Sequence, residues 1–378
     1  MSDTANRALL PAGLADVLPP DAAYEAEVME GLVATFGAHG YERVMPPLIE
    51  FEDNLLSGSG AALVHQTFRL MDPVSQRMLG VRADMTPQIA RIAVTRLRHA
   101  PRPLRLSYAG PVLRVSGSPL RPERQFGQVG AELIGSESPR ADAEVVLLAV
   151  EAVSRLGIGK LTVDLGAPAL VSAVCAELGL DFEDESLKSA LSHKDATAIA
   201  KIGGRAAALL GAILDAAGPA ESALAVLDKL DLPAAAAETC RHLSDVVALV
   251  RARAPSLDLT VDAVEARGYE YHTGPVFTLF ALGVRGELGC GGRYVTDKGG
   301  EPATGFTLFM DSLLRSLPRP QNRKRVFLPY DAPESDSARL RDEGWTTVAG
   351  LEDGDDTIAE ARRLGCSHVL SGGRIESI

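Results

Sequence analysis

Cysteine is scarce in this 378-residue chain: Cys175, Cys240, Cys290 and Cys366 stand far apart, with no C-x-x-C pair. That spacing argues against a disulfide framework and against a zinc site. The seven histidines do not cluster either. No apolar run approaches the roughly 20 residues that span a bilayer. The start, MSDTANRALLPAG, lacks the basic opening and apolar centre of a signal peptide. A reducing cytoplasm is the expected compartment. No G-x-G-x-x-G or G-x-x-x-x-G-K-[ST] loop is present, so a Rossmann or P-loop fold has little support. Positive charge is in deficit: 38 Lys and Arg stand against 50 Asp and Glu, a net charge of −12. General nucleic-acid binding wants a basic face. Only RPLRLSYAGPVLRVSGSPLRPER is locally basic, and its spacing suggests a site rather than a tail.

What is present is material for two or three domains, 46% hydrophobic and 23% charged. No internal repeat is visible. PPDAAYEAEVMEGLVATFGAHGY predicts a helix striped by Val28, Leu32 and Phe36, with Asp21 as N-cap and Gly40 just past its end. YERVMPP reads as a short edge strand, and TFRLMD and QRMLGVRAD as two strands joined at PVS. Thr86 suits an N-cap and Pro87 the first position of the next helix. PLRLSYAGPVLRV, RQFGQVGAELIG and LTVDLG read as strands, with a helix from Ser138-Pro139 to near Gly157 between the last two. Residues 168–253, rich in Ala and Leu, predict a small helical insertion. Strands resume in LDLTVDAVEARGYEYHTGPVFTLFAL. The glycine-rich GELGCGGRYVTDKGG then leads into PATGFTLFMDSLLRSL, a strand running into a helix. Beyond PRPQNRKR, residues 323–378 alternate strand and helix as a short α/β module. Strands adjacent in sequence call for a mainly antiparallel sheet. The expected class is therefore α+β, with a main domain assembled from residues 1–167 and 254–317.

Four stretches could carry chemistry. VRADMTP offers Arg82, Asp84 and Thr86 at a helix start, for a ligand ammonium or merely for capping. In the second, Arg114 ends a strand, Arg121 and Arg124 follow in a loop, and Gln128, Gly130 and Glu132 share one strand face. A polar pair around a glycine suits a ligand floor, though a solvated hairpin would read alike. EARGYEYHTGPVF crowds Arg267, Tyr269, Tyr271 and His272, able to grip a carboxylate and a planar group, or to serve as ordinary strand residues. The glycine-rich turn permits close backbone approach and is a weak signal by itself.

In this order the stretches resemble the histidyl-tRNA synthetase family, over roughly residues 8–317. The likeness rests on GLADVLPPDA and its helix, VRADMTP, GPVLR…RQFGQVGAELIG, ARGYEYHTG and GGRY…PATGF. It implies a class II synthetase-like domain, a six-stranded antiparallel sheet with helices on one side, dimerising through the first helix and strand. It also implies a histidine pocket. Asp84, Thr86 and Gln128 would take the ligand ammonium, Glu132 the imidazole and Arg267 the carboxylate, beside the retained Arg114. Tyr271 and His272 would shape the pocket. The chain departs from the family at Asp84 and His272, where glutamate and tyrosine are usual. Ser116 and Gly117 stand where the second motif has glutamate and arginine. Asp311 and Ser312 replace a glutamate-arginine pair whose arginine stacks on ATP. Adenylate formation needs preorganised cations, so the nucleotide half is expected to be disabled. The short C-terminal module does not match a complete anticodon-binding domain.

DMTPQIAR is similar to one branch of these proteins, the regulatory subunits of ATP phosphoribosyltransferase. That resemblance implies a non-catalytic subunit assembling with the short catalytic subunit, as a hetero-octamer. The catalytic subunit joins ATP to phosphoribosyl pyrophosphate in the first step of histidine biosynthesis. The regulatory chain would activate it and transmit histidine inhibition, with no cofactor, metal, tRNA or membrane implied. Two alternatives stay open: an active histidine-activating ligase or synthetase, and a tRNA-binding sensor on an inactive synthetase domain.

Overall fold

Long strands form the central layer of the larger part of the chain, and each sends its two sets of side chains to opposite faces. The structure is a computed structural model, described for residues 9–118, 121–181, 184–264, 272–296, 300–319, 324–354 and 356–378. It forms two compact units, Met1–Pro318 and Arg319–Ile378. The strands of the larger unit are β1 (Glu42–Arg43), β2 (Ile49–Phe51), β3 (Arg69–Met71), β4 (Met78–Val81), β5 (Leu104–Leu113), β6 (Gln125–Ile134), β7 (Leu161–Gly166), β8 (Gly218–Pro219), β9 (Asp258–Val261), β10 (His272–Ala281), β11 (Gly289–Val295) and β12 (Pro302–Phe309). The main sheet runs β1-β5-β6-β12-β11-β10-β7-β9-β8, and β2-β4-β3 makes a small second sheet.

In the order β5-β6-β12-β11-β10-β7 all neighbours are antiparallel, which gives the six-stranded core that the family resemblance implies. Three short strands extend it to nine, with β1 parallel to β5 and β9 parallel to β7. Helices lie on both faces rather than one. Ala109, Val129, Ala131, Leu133, Phe306 and Leu308 point into a large core with helices Asp21–Ala38 and Pro139–Arg155. Leu106, Tyr108, Val112, Phe126 and Phe309 face the other way, with Ile89, Ala90 and Ala93 of helix Thr86–Thr95. That single helix covers only part of its face. The rest is the floor of the candidate site.

Local signals explain some boundaries and misplace others. Ser138 caps helix Pro139–Arg155, its hydroxyl accepting from the Arg140 amide, and Gly157 takes the left-handed φ of 88° that a chain leaving a helix favours. Asp21 is not the cap of the first helix; Pro20 holds that place, and Asp21 lies in the first turn as a favourable charge. Residues 168–253 form helices Pro168–Glu177, Glu185–Ser192, Ala196–Ile202, Gly204–Asp215, Ala220–Leu227 and Ala234–Arg253. Their apolar residues, from Leu170 to Val250, join the same core as the sheet.

The smaller unit has β13 (Arg325–Leu328), β14 (Thr346–Ala349), β15 (His368–Ser371) and β16 (Arg374–Ser377), in the order β14-β13-β15-β16. β13 is parallel to both neighbours and β16 is antiparallel to β15. Helices Glu334–Asp342 and Thr357–Arg363 supply Leu340 and Ala361 to two small cores. No helix among the described residues is long and apolar enough to cross a membrane.

Candidate functional site

Register brings the floor together. β5 and β6 set Leu106 opposite Glu132, Tyr108 opposite Gly130 and Gly110 opposite Gln128; β12 sets Gly305 opposite Glu132 and Thr307 opposite Gly130. Glycine is required at two of these places. A Cβ on Gly305 would fall inside the Glu132 carboxylate, and one on Gly130 would overlap the Tyr108 hydroxyl and the Phe306 carbonyl.

Glu132 is 1% exposed. Its Oε1 accepts from the Thr86 hydroxyl at 3.1 Å and the Tyr108 hydroxyl at 3.4 Å, and its Oε2 accepts from the Tyr294 hydroxyl at 3.0 Å. Among the described residues no cation lies within ion-pair distance of it. Burial therefore pushes its pKa up to about 8, against the lowering effect of the hydroxyls, with the Asp84 charge adding to the rise. A carboxyl held by hydroxyl groups alone is suited to meet a cationic or N–H-bearing ligand group.

Asp84 and Gln128 form the next part. Gln128 Nε2 donates to Asp84 Oδ2 at 2.8 Å, while its Oε1 accepts from the Met85 amide at 3.1 Å. Asp84 Oδ1 accepts from the Thr86 amide at 2.8 Å. The capping roles are thus exchanged relative to the sequence reading. Met85 stands at the N-cap position and Thr86 is the first helical residue. Asp84 serves the helix start, and the Thr86 hydroxyl is free for Glu132 and Tyr108.

Arg114, just past β5, lies beside this floor. Its Nε donates to the Ala83 carbonyl at 3.3 Å and its guanidinium sits 5.1 Å from the Phe126 ring centre. Burial holds its pKa below the usual arginine range. Among the described residues it has no carboxylate partner. Arg82 is buried for a structural purpose, donating to the Pro111 and Pro46 carbonyls. Arg124 is likewise structural, bonding the Arg114 and Ala12 carbonyls. Gly117 is held by steric need, since a Cβ there would strike the Pro122 carbonyl.

The space beside Ser312, where the family's stacking arginine is replaced, holds a cation from elsewhere in the chain. Arg121 is 8% exposed. Its guanidinium stacks 3.8 Å from the Phe309 ring centre and lies 5.4 Å from that of Phe126. Its Nε meets Asp311 Oδ2 at 3.1 Å, and its Nη2 meets Glu287 Oε1 at 2.9 Å and Ser312 Oγ at 3.5 Å. Arg315 approaches from the solvent side, 3.1 Å from both Asp311 Oδ2 and Ser312 Oγ, and 3.4 Å from Glu123. Two guanidinium groups thus face three carboxylates.

Asp84, Thr86, Arg114, Gln128 and Glu132 are brought together, and His272 joins at the start of β10, its ring edge-on to Tyr294 with centres 6.5 Å apart. Arg267, Tyr269 and Tyr271 lie outside the described residues. Sequence reasoning passed over Tyr108, Tyr294, Phe309 and Glu287 as site residues. The period-two alternation could have found both tyrosines, since Tyr108 precedes Gly110 by two positions and Tyr294 follows Gly292 by two. Glu287, in a loop, gives no such signal.

The histidyl-tRNA synthetase family model matches residues 13–313. The chain is 58% identical to the ATP phosphoribosyltransferase regulatory subunit of Rhodospirillum centenum, over 98% of this chain and 96% of that one. It is 57% identical to the protein of that name from Paramagnetospirillum magneticum, over 98% of both. Among solved structures, an ATP phosphoribosyltransferase regulatory subunit/histidyl-tRNA synthetase from Bacillus halodurans matches with a TM-score of 0.82 at 22% identity, covering 94% of this chain and 96% of that one. The histidyl-tRNA synthetase of Nostoc matches with a TM-score of 0.78 at 18% identity, covering 96% and 91%. At those identities the structural likeness speaks for the fold alone.

Proposed function

The chain belongs to the histidyl-tRNA synthetase family, and from that premise we propose that it is a regulatory subunit of ATP phosphoribosyltransferase without catalytic activity of its own. It binds the short catalytic subunit, activates it and carries histidine feedback to it. The observation that carries this reading is the contrast between the two halves of the site, taken with the full-length likeness to regulatory subunits. The floor around Glu132 keeps a complete set of polar partners. In the neighbouring half Arg121 and Arg315 are committed to carboxylates, so neither is available to stabilise a reacting triphosphate.

In this reading histidine lies on the floor with its imidazole at Glu132 and its ammonium at Asp84 and Gln128. Thr86 supports Glu132 rather than the ammonium. Arg114 and Arg267 serve the carboxylate, while Tyr271 and His272 close the pocket. The proposed assembly is a hetero-octamer built from dimers of this chain, in the cytoplasm, without tRNA.

Co-purification with the short catalytic subunit, followed by assays with and without histidine, tests the reading. A stable complex, stimulated turnover and histidine inhibition are expected; no complex and no stimulation would reject it. Histidine-dependent ATP–pyrophosphate exchange by this chain alone would point instead to an active ligase. A tRNA gel shift that persists at moderate salt would point to the sensor.

A further inference from the structure

The pocket beside Ser312 has the makings of a guanidinium receptor: an aromatic face at Phe309, carboxylates at Asp311 and Glu287, and a hydroxyl. A planar cation over a ring, with its N–H groups turned to carboxylates, satisfies stacking and charge together. We propose that Arg121 is the ligand of this receptor and acts as an internal plug, holding the place over Phe309 that a planar base would need. The pocket is closed to nucleotides because a cation from the same chain fills it. The proposal rests on the reading above only in taking this pocket as the former nucleotide half.

Three features support a plug rather than an incidental ion pair. Arg121 lies against two rings, Phe309 and Phe126, whose centres are 6.1 Å apart in an edge-on arrangement. Its carboxylate partners come from separate places, Glu287 ahead of β11 and Asp311 in the helix after β12, so the guanidinium is gripped along its edge. Asp311 is also neutralised from outside by Arg315, so withdrawal of Arg121 does not leave it without a cation.

The probe is adenosine, which carries a planar base and no phosphate for Asp311 and Glu287 to repel. It is titrated into the full chain alone, with binding read by saturation transfer to the nucleoside ring protons. Low-millimolar adenosine should give no transfer with wild type. Arg121→Ala should bind at least roughly tenfold more tightly, and adding Phe309→Leu should abolish the gain. If Arg121→Ala does not fold, Glu287→Gln takes its place; it leaves Arg121 with Asp311 as its one carboxylate among the described residues and should give transfer above wild type. Equal binding by wild type, or a folded variant that stays silent, overturns the plug. The catalytic subunit takes no part in this titration, so its outcome is separate from whether this chain activates that subunit.

Discussion

Glu132 titrates in an unusual place. Its folded pKa of about 8 stands above its ordinary value of 4.5 because burial disfavours the charge. The raised value means that the folded state holds this proton more tightly than the unfolded chain does. The resulting stability is fully present below about pH 4.5 and is lost as pH rises through about 8, at a rate of at most about 1.4 kcal/mol per pH unit. Glu132→Gln should remove this part of the slope, which denaturant titrations across that range would detect. An unchanged slope would mean that Glu132 is already ionised in the folded protein. Gly305 gives a second prediction. The Glu132 carboxylate occupies the volume of an added Cβ, so Gly305→Ala should cost about 1–3 kcal/mol and, on the proposed function, abolish histidine binding. Calorimetric titration with histidine, beside a thermal melt, separates the two effects.

Between elements, Arg293 on β11 makes a heavily bonded tie. Its guanidinium meets Asp142 Oδ2 at 2.7 and 3.1 Å and the carbonyls of Ser136 and Ser138 at 2.8 and 3.2 Å. His242, from the long helix Ala234–Arg253, reaches the same Asp142 oxygen at 2.7 Å. One carboxylate therefore joins the sheet, helix Pro139–Arg155 and the 168–253 segment. Both charges of the Asp142–Arg293 pair are almost wholly buried. Removing one alone strands the other, so Asp142→Ala should cost about 3–5 kcal/mol, and the Asp142→Leu/Arg293→Met double variant should recover much of that. Urea unfolding of the set would show it; additive losses would mean that the pair is not coupled. This tie was invisible in the sequence, because its members lie up to 157 positions apart. The legible part was what short-range pattern controls: the alternation of β5 and β6, the Ser138 cap, the helical 168–253 segment and the strand–helix order of the last 55 or so residues. Thr86 reads as the N-cap in the sequence, but in the fold Asp84 accepts the helix-start amide and the Thr86 hydroxyl turns to Glu132. Which of two neighbouring oxygens caps a helix depends on whether Glu132 lies across the sheet to claim the other. The position of Arg121 was equally hidden, since Glu287 and Asp311 reach it only through tertiary packing.

At the scale of the whole molecule, the proposed function demands that an amino acid on the floor alter how this chain holds its partner. Linkage makes that demand quantitative. If histidine changes the affinity for the catalytic subunit by some factor, the catalytic subunit changes the affinity for histidine by the same factor. A coupling of about 1–3 kcal/mol corresponds to factors of roughly 5–150. The two dissociation constants, each measured with and without the other ligand, should yield matching factors in that range. Glu132→Gln removes the ionisable carboxyl but keeps a neutral group of similar shape, so it should weaken histidine binding while leaving stimulation of the partner in place. Histidine inhibition would then shift to higher concentration with the activated rate unchanged. If Glu132→Gln abolished stimulation along with inhibition in a folded protein, the floor would belong to the activating contact itself. If histidine bound with the same affinity in the presence and absence of the catalytic subunit, its inhibition could not be transmitted through an affinity change at this site.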